Sequence, residues 1–212
     1  MDNTWASPLF FKSFDHGVDI SIHAATKYII GHSDAMLGTV TTTKESWNEL
    51  YDSTGHLGQC VGPDDLYLAQ RGFRTLGVRL RQHQSSAIEI AEWLQSRREV
   101  RQVLYPALSS NIGYKIWKRD FLGASGLFAI ELESYSDKAI KEMLNCMELF
   151  GLGYSWGGYE SLVIPENVKK IRTAVRWPFR GQLLRLNIGL EDVGDLKDDL
   201  EHGLDRLRNF ID

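Results

Sequence analysis

Apolar and polar residues alternate through residues 19–28, and this alternation predicts a strand that ends in a turn of small residues. The apolar positions fall at every second residue, as an extended chain requires: Ile20, Ile22 and Ala24. The turn presents one lysine, Lys27. Residues 31–40 predict a loop followed by a second strand.

Apolar residues at intervals of three or four predict helices in the middle and at the end of the chain. A long helical stretch begins near Gly62, is interrupted near Gly72, and continues with one apolar stripe: Leu76, Leu80, His83, Ala87, Ile90 and Leu94. We expect this second piece to bridge two lobes. The final helix is predicted to bury Val193, Leu196, Leu200, Leu204, Leu207 and Ile211.

Two shorter helices are predicted from their first residues. Ser46 is expected to cap one of them, with Glu49 completing a capping box. Ser136 is expected to cap the other, whose apolar face holds Ile140, Leu144 and Met147. Strands are predicted at 100–105, 125–133, 161–164 and 183–188. Because strands and helices interleave, the pattern indicates an α/β or α+β lobe with helices packed on a sheet.

Composition narrows the class of protein. The 212 residues, 43% hydrophobic and 25% charged, fit one large globular domain or two small ones. No apolar run approaches the roughly 20 residues of a membrane-spanning helix, and the first residues lack the pattern of a signal peptide. We therefore expect a cytoplasmic protein without membrane partners.

Charge and cysteine content exclude further classes. The net charge is −4 and the basic residues are scattered, so nucleic-acid binding has little electrostatic support. Cys60 and Cys146 lie in no metal-binding or disulfide spacing, and we expect no metal site. Both cysteines are predicted to be buried thiols.

Lys27 is the first candidate for chemistry. A partly buried lysine loses its proton readily and can act as a nucleophile or as the Schiff-base partner of pyridoxal phosphate (PLP). Asp2, 25 positions earlier, has the charge needed beside a pyridinium nitrogen, and the Thr26 hydroxyl can donate to a phosphate. The alternatives remain open at this point: a solvated loop lysine, a capping aspartate and an ordinary turn threonine.

A second candidate region joins an aromatic, glycine-rich loop to a strand arginine. Residues 154–161, which contain Ser155 and Trp156, fit neither a strand nor a helix, and such loops often carry recognition. Arg185 interrupts an apolar strand, where its guanidinium requires a carboxylate from either the protein or a substrate. Residues 32–34 contain the residue types of a hydrolytic triad, but sequence neighbours point in different directions.

Several segments in combination resemble the Cys/Met-metabolism family of PLP-dependent enzymes. They are residues 2–5 (DNTW), 25–28 (ATKY) with 31–34 (GHSD), 71–76 (RGFRTL), 155–161 (SWGGYES) and 185–192 (RLNIGLED). The resemblance implies an α/β fold: the end of a fold-type-I PLP-dependent transferase large domain in residues 1–73, then a bridging helix and a C-terminal α+β small domain in residues 74–212.

The resemblance also implies roles for individual residues. Lys27 would bind the cofactor covalently and move the substrate proton, with Asp2 at the pyridine nitrogen and Thr26 at the phosphate. Ala24 departs from the family, where many members have a second hydroxyl for the phosphate. The residues implied to bind substrate are Ser155, Trp156 and Arg185.

The implied reaction is β-elimination of L-cystathionine, an amino-acid thioether, to homocysteine, pyruvate and ammonia in methionine biosynthesis. Trp156 favours it, since relatives of the γ-synthase and γ-lyase type usually have leucine there. Those γ-type reactions and a catalytically inert assembly role are the alternatives. Family members form homodimers or homotetramers and are nearly twice as long, so we expect this chain to be the C-terminal part of a longer protein.

Overall fold

The computed structural model describes residues 1–168, 171–174 and 178–210. Its helices are α1 (Ser7–Phe10), α2 (Lys44–His56), α3 (Pro63–Phe73), α4 (Leu76–Gln95), α5 (Tyr114–Asp120), α6 (Asp137–Asn145) and α7 (Val193–Asn209). Its strands are β1 (Ile20–Ala24), β2 (Gly38–Thr42), β3 (Val100–Leu104), β4 (Leu127–Leu132), β5 (Leu162–Glu166) and β6 (Leu183–Asn187).

The first part of the chain is built around a ribbon of β1 and β2. The two strands are antiparallel, with Ile22 opposite Val40, and the chain around Asp2 pairs with β1 in parallel. Beside the ribbon lies one buried apolar cluster, which is formed by Ala25, Tyr28, Ile29, Ile30, Ala69, Leu76 and Leu80. The strand predicted before Lys27 and the strand predicted after the loop are both confirmed.

The second part is an antiparallel sheet in the order β3-β4-β6-β5. A larger apolar cluster involves this sheet, α4, α6 and α7, and among its fully buried members are Ile90, Leu94, Ile130, Leu184 and Leu204. All four strands predicted for this region are present, with shifts of one or two residues at their ends. The expected α/β class is confirmed.

Helix α4 contributes to both clusters. Its stripe from Leu76 to Leu94 is buried as predicted, with Leu76 and Leu80 in the first cluster and Ile90 and Leu94 in the second. The predicted interruption near Gly72 is also present, because α3 ends at Phe73. A Cβ at position 72 would lie 2.4 Å from the carbonyl oxygens of Ile29 and Ile30, so glycine permits this close approach.

Several expectations about helix boundaries were wrong. The second helix begins at Lys44, and Ser46 therefore lies inside its first turn; Thr43, in an extended conformation at the end of β2, takes the cap position. Ser136 does cap α6, accepting from the Ala139 N–H, but that helix ends before Met147. Helix α5 was not predicted. Ile211, expected on the last helix, lies outside the described residues.

The cysteine expectation was also wrong. Cys60 is exposed and Cys146 is only half-buried. Cys60 lies in the connection between α2 and α3, where it is surrounded by exposed residues. Hydropathy alone does not distinguish an apolar side chain in a connection from one on a packed face. Among the described residues, no helix is both long and apolar enough to cross a bilayer.

Asp199 anchors the chain that follows α6. Its buried carboxylate accepts hydrogen bonds from the backbone N–H groups of Glu148, Leu149 and Phe150, at 2.8, 2.9 and 3.0 Å. Replacement by alanine leaves these three N–H groups without an acceptor. We therefore expect Asp199→Ala to lower the free energy of unfolding by about 2–3 kcal/mol in urea denaturation. The control Asp198→Ala, exposed on the same helix, should change it by less than about 0.5 kcal/mol. Equal effects would contradict this role.

Candidate active site

Lys27 lies in a tight turn directly after β1. Its backbone N–H donates to Ala24 O at 3.0 Å, and its carbonyl accepts from Gly31 N–H at 2.8 Å. The half-buried side chain leaves the turn and donates from Nζ to Ser155 Oγ at 2.9 Å. Nζ also lies 5.2 Å from the ring centroid of Trp156. The turn therefore brings the lysine to the aromatic loop, 128 positions later in the chain.

The surroundings of Lys27 favour its neutral amine. Burial lowers the pKa of Lys27, and the positive charge of Arg185 lowers it further. No carboxylate of the described residues forms a salt bridge with Nζ to reverse this effect. A larger fraction of unprotonated amine makes Lys27 a better nucleophile and proton acceptor at neutral pH.

The aromatic loop at residues 154–161 is held by two polar side chains, the buried Asn187 and the half-buried Glu191. Asn187, on β6, accepts from Gly157 N–H at 3.0 Å and donates to Glu160 O at 3.0 Å. Glu191 accepts from the backbone N–H and the hydroxyl of Ser161, at 2.6 and 2.8 Å. These contacts position the loop that carries Ser155 and Trp156.

Arg185 projects from β6 on the same face as Asn187. Its Nη1 forms a salt bridge with Glu166 Oε1 at 3.0 Å, and its Nη2 donates to Tyr154 O at 2.6 Å. Strand β5 places Ile164 opposite Arg185, so Glu166 is the diagonal neighbour two residues further along. The sequence did not decide whether the carboxylate partner of Arg185 belongs to the protein or to a substrate. In the structure, the Glu166 carboxylate contacts one nitrogen of the guanidinium.

Asp2 lies beside the middle of β1, and Thr26 lies in the turn that follows this strand. Asp2 is exposed and pairs with Ile22, and hydrogen bonds from Thr4, one of them from its backbone N–H at 2.7 Å, lower the pKa of Asp2. Asp2 is therefore ionised at neutral pH. The Thr26 hydroxyl contacts the backbone of Leu37, accepting from its N–H at 2.9 Å and donating to its carbonyl at 3.3 Å.

Tyr28 is a residue of this region that the sequence reasoning missed. It is fully buried, and its hydroxyl accepts from Gly126 N–H at 3.0 Å. Its ring packs between Trp156 and His83, with centroid separations of 5.7 and 5.3 Å. Burial lowers the pKa of His83 to about 4, so this ring is neutral at pH 7. The alternation of residues 19–28 gave no signal that Tyr28 supports Trp156, because the contact spans 128 positions.

Gly157 permits the approach of the loop to Lys27. Its φ is +81°, and an added Cβ would lie 3.1 Å from the Lys27 backbone carbon, the Lys27 Cβ and the Tyr28 nitrogen. Gly157→Ala should therefore lower the free energy of unfolding by about 1–3 kcal/mol and move the loop away from Lys27. Since solvation would then increase, we expect the pKa of Lys27 to rise, measured as the pH dependence of its acylation by mass spectrometry.

Gly58→Ala is the matched control for this prediction. Gly58 also has a positive φ, +64°, but an added Cβ there meets no atom within 4 Å. Gly58→Ala should introduce backbone strain, as Gly157→Ala does, without changing the pKa of Lys27. If Gly157→Ala left the reactivity of Lys27 unchanged, the loop would not set the environment of the amine.

The residues present fit the cofactor that the sequence resemblance implies. A carbonyl-bearing pyridine needs an unprotonated amine and an anion for its ring nitrogen. Lys27, whose pKa is lowered, and Asp2, ionised and exposed, have these properties. The Thr26 hydroxyl would have to exchange its 3.3 Å bond to Leu37 for a phosphate oxygen.

Comparisons with known proteins agree with this chemistry. The family described as Cys/Met metabolism PLP-dependent enzyme matches residues 1–205. Cystathionine beta-lyase MetC of Escherichia coli strain K12 is 47% identical over 211 residues, which is 98% of this chain and 53% of that protein. The cystathionine beta-lyase of Salmonella typhimurium is 46% identical, with the same shares covered.

A solved structure is similar throughout the chain. Cystathionine gamma synthase from Xanthomonas oryzae pv. oryzae, in complex with cystathionine, superposes with a TM-score of 0.90 at 36% identity, covering 99% of this chain and 56% of that one. This likeness confirms the expected fold class. The chain spans about half the length of the relatives it matches.

Proposed function

The chain belongs to the Cys/Met-metabolism family of PLP-dependent enzymes, and from this we propose that Lys27 is the catalytic amine of a carbon–sulfur lyase that cleaves L-cystathionine by β-elimination. The observation that carries the proposal is the convergence of Lys27, Ser155, Trp156 and Arg185, with an amine whose pKa is lowered. The reaction converts cystathionine and water to homocysteine, pyruvate and ammonia.

Each residue has a defined task in this proposal. The Arg185 guanidinium binds the α-carboxylate of the substrate, since its forked N–H groups match a carboxylate. Lys27 Nζ removes the proton from the substrate Cα, with Ser155 Oγ orienting the amine from 2.9 Å. Trp156 covers the amine and excludes water. Lys27, Asp2 and Thr26 would hold the cofactor before the substrate binds, and the cofactor would supply an electron sink for the charge left at Cα once the Lys27 amine is free.

The second candidate is a γ-type reaction, favoured by the likeness to cystathionine gamma synthase. Product analysis with L-cystathionine separates the two. We expect homocysteine and pyruvate in equal amounts, detected by chromatography and by a lactate dehydrogenase assay. Cysteine with a four-carbon keto acid would instead assign γ-cleavage and contradict the proposal.

The organisation of the protein is also part of the proposal. We propose that residues 1–73 belong to the cofactor-binding large domain and residues 74–212 to the bridging helix and small domain, and that the whole protein is a homo-oligomer. The separate apolar clusters, joined through α4, support this division. An inert chain with only an assembly role would give no products in the assay above.

A further inference from the structure

Arg79, on α4, is a buried cation in contact with the turn that carries Lys27. It is 6% exposed, and in the part of the chain that the structure describes it forms no salt bridge. Burial lowers the pKa of Arg79, yet a guanidinium keeps its proton at neutral pH. A buried charge without a counter-ion is costly unless hydrogen bonds compensate for the lost water. The acceptors around Arg79 therefore decide what this charge does.

Backbone carbonyls surround the Arg79 guanidinium. Nη1 donates to Tyr28 O at 2.8 Å, and Nη2 donates to Ile29 O at 3.1 Å and to Gly72 O at 2.8 Å. Tyr28 and Ile29 directly follow Lys27, whereas Gly72 lies near the end of α3. One side chain thus joins the lysine turn to the junction of α3 and α4.

Thr75 and Gly31 fit the guanidinium into this position. Thr75 Oγ1 accepts from Nε of Arg79 at 3.0 Å, so four of the five N–H groups of the arginine are hydrogen-bonded. Gly31 ends the lysine turn with a φ of +70°, and an added Cβ there would overlap Nη1 of Arg79. The turn therefore leaves room for this one side chain.

His83, four residues after Arg79 and on the same face of α4, makes the corresponding contact with the end of β6. Its Nδ1 lies 2.7 Å from the carbonyl oxygen of Ile188, the residue after β6. Because a carbonyl only accepts, Nδ1 carries the proton. Ile188 N–H donates to Gly126 O at 2.9 Å, and Gly126 N–H donates to the Tyr28 hydroxyl at 3.0 Å. Helix α4 therefore contacts the lysine turn and the end of β6 one helical turn apart.

We propose that Arg79 is a positioning residue of the active site, which fixes the lysine turn on α4 and thereby sets where the Lys27 amine lies relative to Arg185. Because α4 also holds the end of β6 through His83, the helix fixes both groups that contact the substrate. A guanidinium suits this task, since its planar fork donates to several carbonyls in fixed directions, which a single ammonium does not. The inference rests on the proposed function for the tasks of Lys27 and Arg185, but its first test needs no substrate.

Arg79→Lys is the variant that tests this role, because it keeps the positive charge and removes the fork. We expect the lysine turn to loosen and the Lys27 amine to become more solvated, so that its pKa rises and its unprotonated fraction at neutral pH falls by roughly threefold or more. The pH profile of Lys27 acylation, followed by mass spectrometry in the 212-residue chain, measures this change. Arg81→Lys is the matched control: Arg81 is exposed on the same helix, and its replacement should leave the profile unchanged.

Thr75→Val is a milder variant that decides the question if circular dichroism shows Arg79→Lys to be unfolded. It removes the acceptor of Nε and keeps the three carbonyl bonds, so it should move the acylation profile in the same direction by less. A wild-type profile in the folded variants would overturn the proposal, because Arg79 would then only stabilise the fold.

Kinetics separate this role from the reaction itself. In a preparation that cleaves cystathionine, Arg79→Lys should lower kcat by about tenfold with little change in KM, because the amine is displaced while Arg185 still binds the carboxylate. A shifted acylation profile in a protein that does not cleave cystathionine would support the positioning role of Arg79 and contradict only the proposed reaction. An unshifted profile with normal cleavage would contradict only the role of Arg79.

Discussion

Replacing Lys27 by alanine is expected to abolish covalent capture of pyridoxal phosphate and to reduce cystathionine cleavage by at least 10²–10⁴-fold, the usual contribution of a positioned acid–base group. Lys27 is a half-buried amine with a lowered pKa, held by Ser155 and covered by Trp156. The chain is incubated with the cofactor, reduced with borohydride and digested. Mass spectrometry should then find the label on the peptide containing Lys27, and no label at that position in the variant.

Lys44→Ala is the control, because Lys44 is an exposed lysine at the start of α2. It should leave both labelling and cleavage unchanged. Added methylamine should partly restore cleavage in Lys27→Ala, since a small amine can enter the space that the side chain leaves; a purely structural role for Lys27 would show no such rescue. Wild-type turnover in Lys27→Ala would show that another group moves the proton.

Replacing Arg185 by leucine is expected to raise the KM for cystathionine by about 10²-fold, with a smaller change in kcat. The substrate carboxylate would lose a charge-assisted partner in a partly buried site, a loss of about 2–3 kcal/mol. Kinetics are measured in a preparation that cleaves cystathionine. Arg119→Leu is the control, because Arg119 is exposed and contacts its neighbour Asp120.

Glu166→Gln should change the KM in the opposite direction. Glu166 holds Arg185 at 3.0 Å, so a substrate carboxylate must displace it. A neutral amide binds a guanidinium more weakly, and we expect the KM to fall by a few-fold. If Glu166→Gln raised the KM as much as Arg185→Leu does, Glu166 would help to form the substrate site instead of competing with the substrate for Arg185.

A third measurement on Arg185→Leu needs no substrate. The charge of Arg185 lowers the pKa of Lys27, so removing that charge should raise it. The pH dependence of Lys27 acylation in the isolated chain measures this change. An unchanged pKa would place Arg185 too far from the amine for both to contact one small amino acid, whatever the reaction proves to be.

Much of the fold follows from local pattern. The alternation of Ile20, Ile22 and Ala24 predicted β1, and the stripe from Leu76 to Leu94 predicted α4, because burial of one face imposes the period of the element on the sequence. Boundaries were less accurate. Thr43 precedes the second helix in place of Ser46 because β2 runs directly into that helix, and the next element along the chain decides which residue takes the cap position.

The sequence by itself determined most of the elements, the family resemblance and the residue types of the candidate site: an amine at Lys27, a carboxylate at Asp2 and a guanidinium at Arg185. Only the tertiary structure decided that the Lys27 amine meets Ser155 and Trp156, that Glu166 holds Arg185, and that Cys60 is exposed. The physical reason is the separation in sequence between the residues that interact. Local periodicity depends on neighbours within a turn or a strand, whereas the pKa of a lysine and the partner of an arginine depend on burial and strand register between residues distant in sequence.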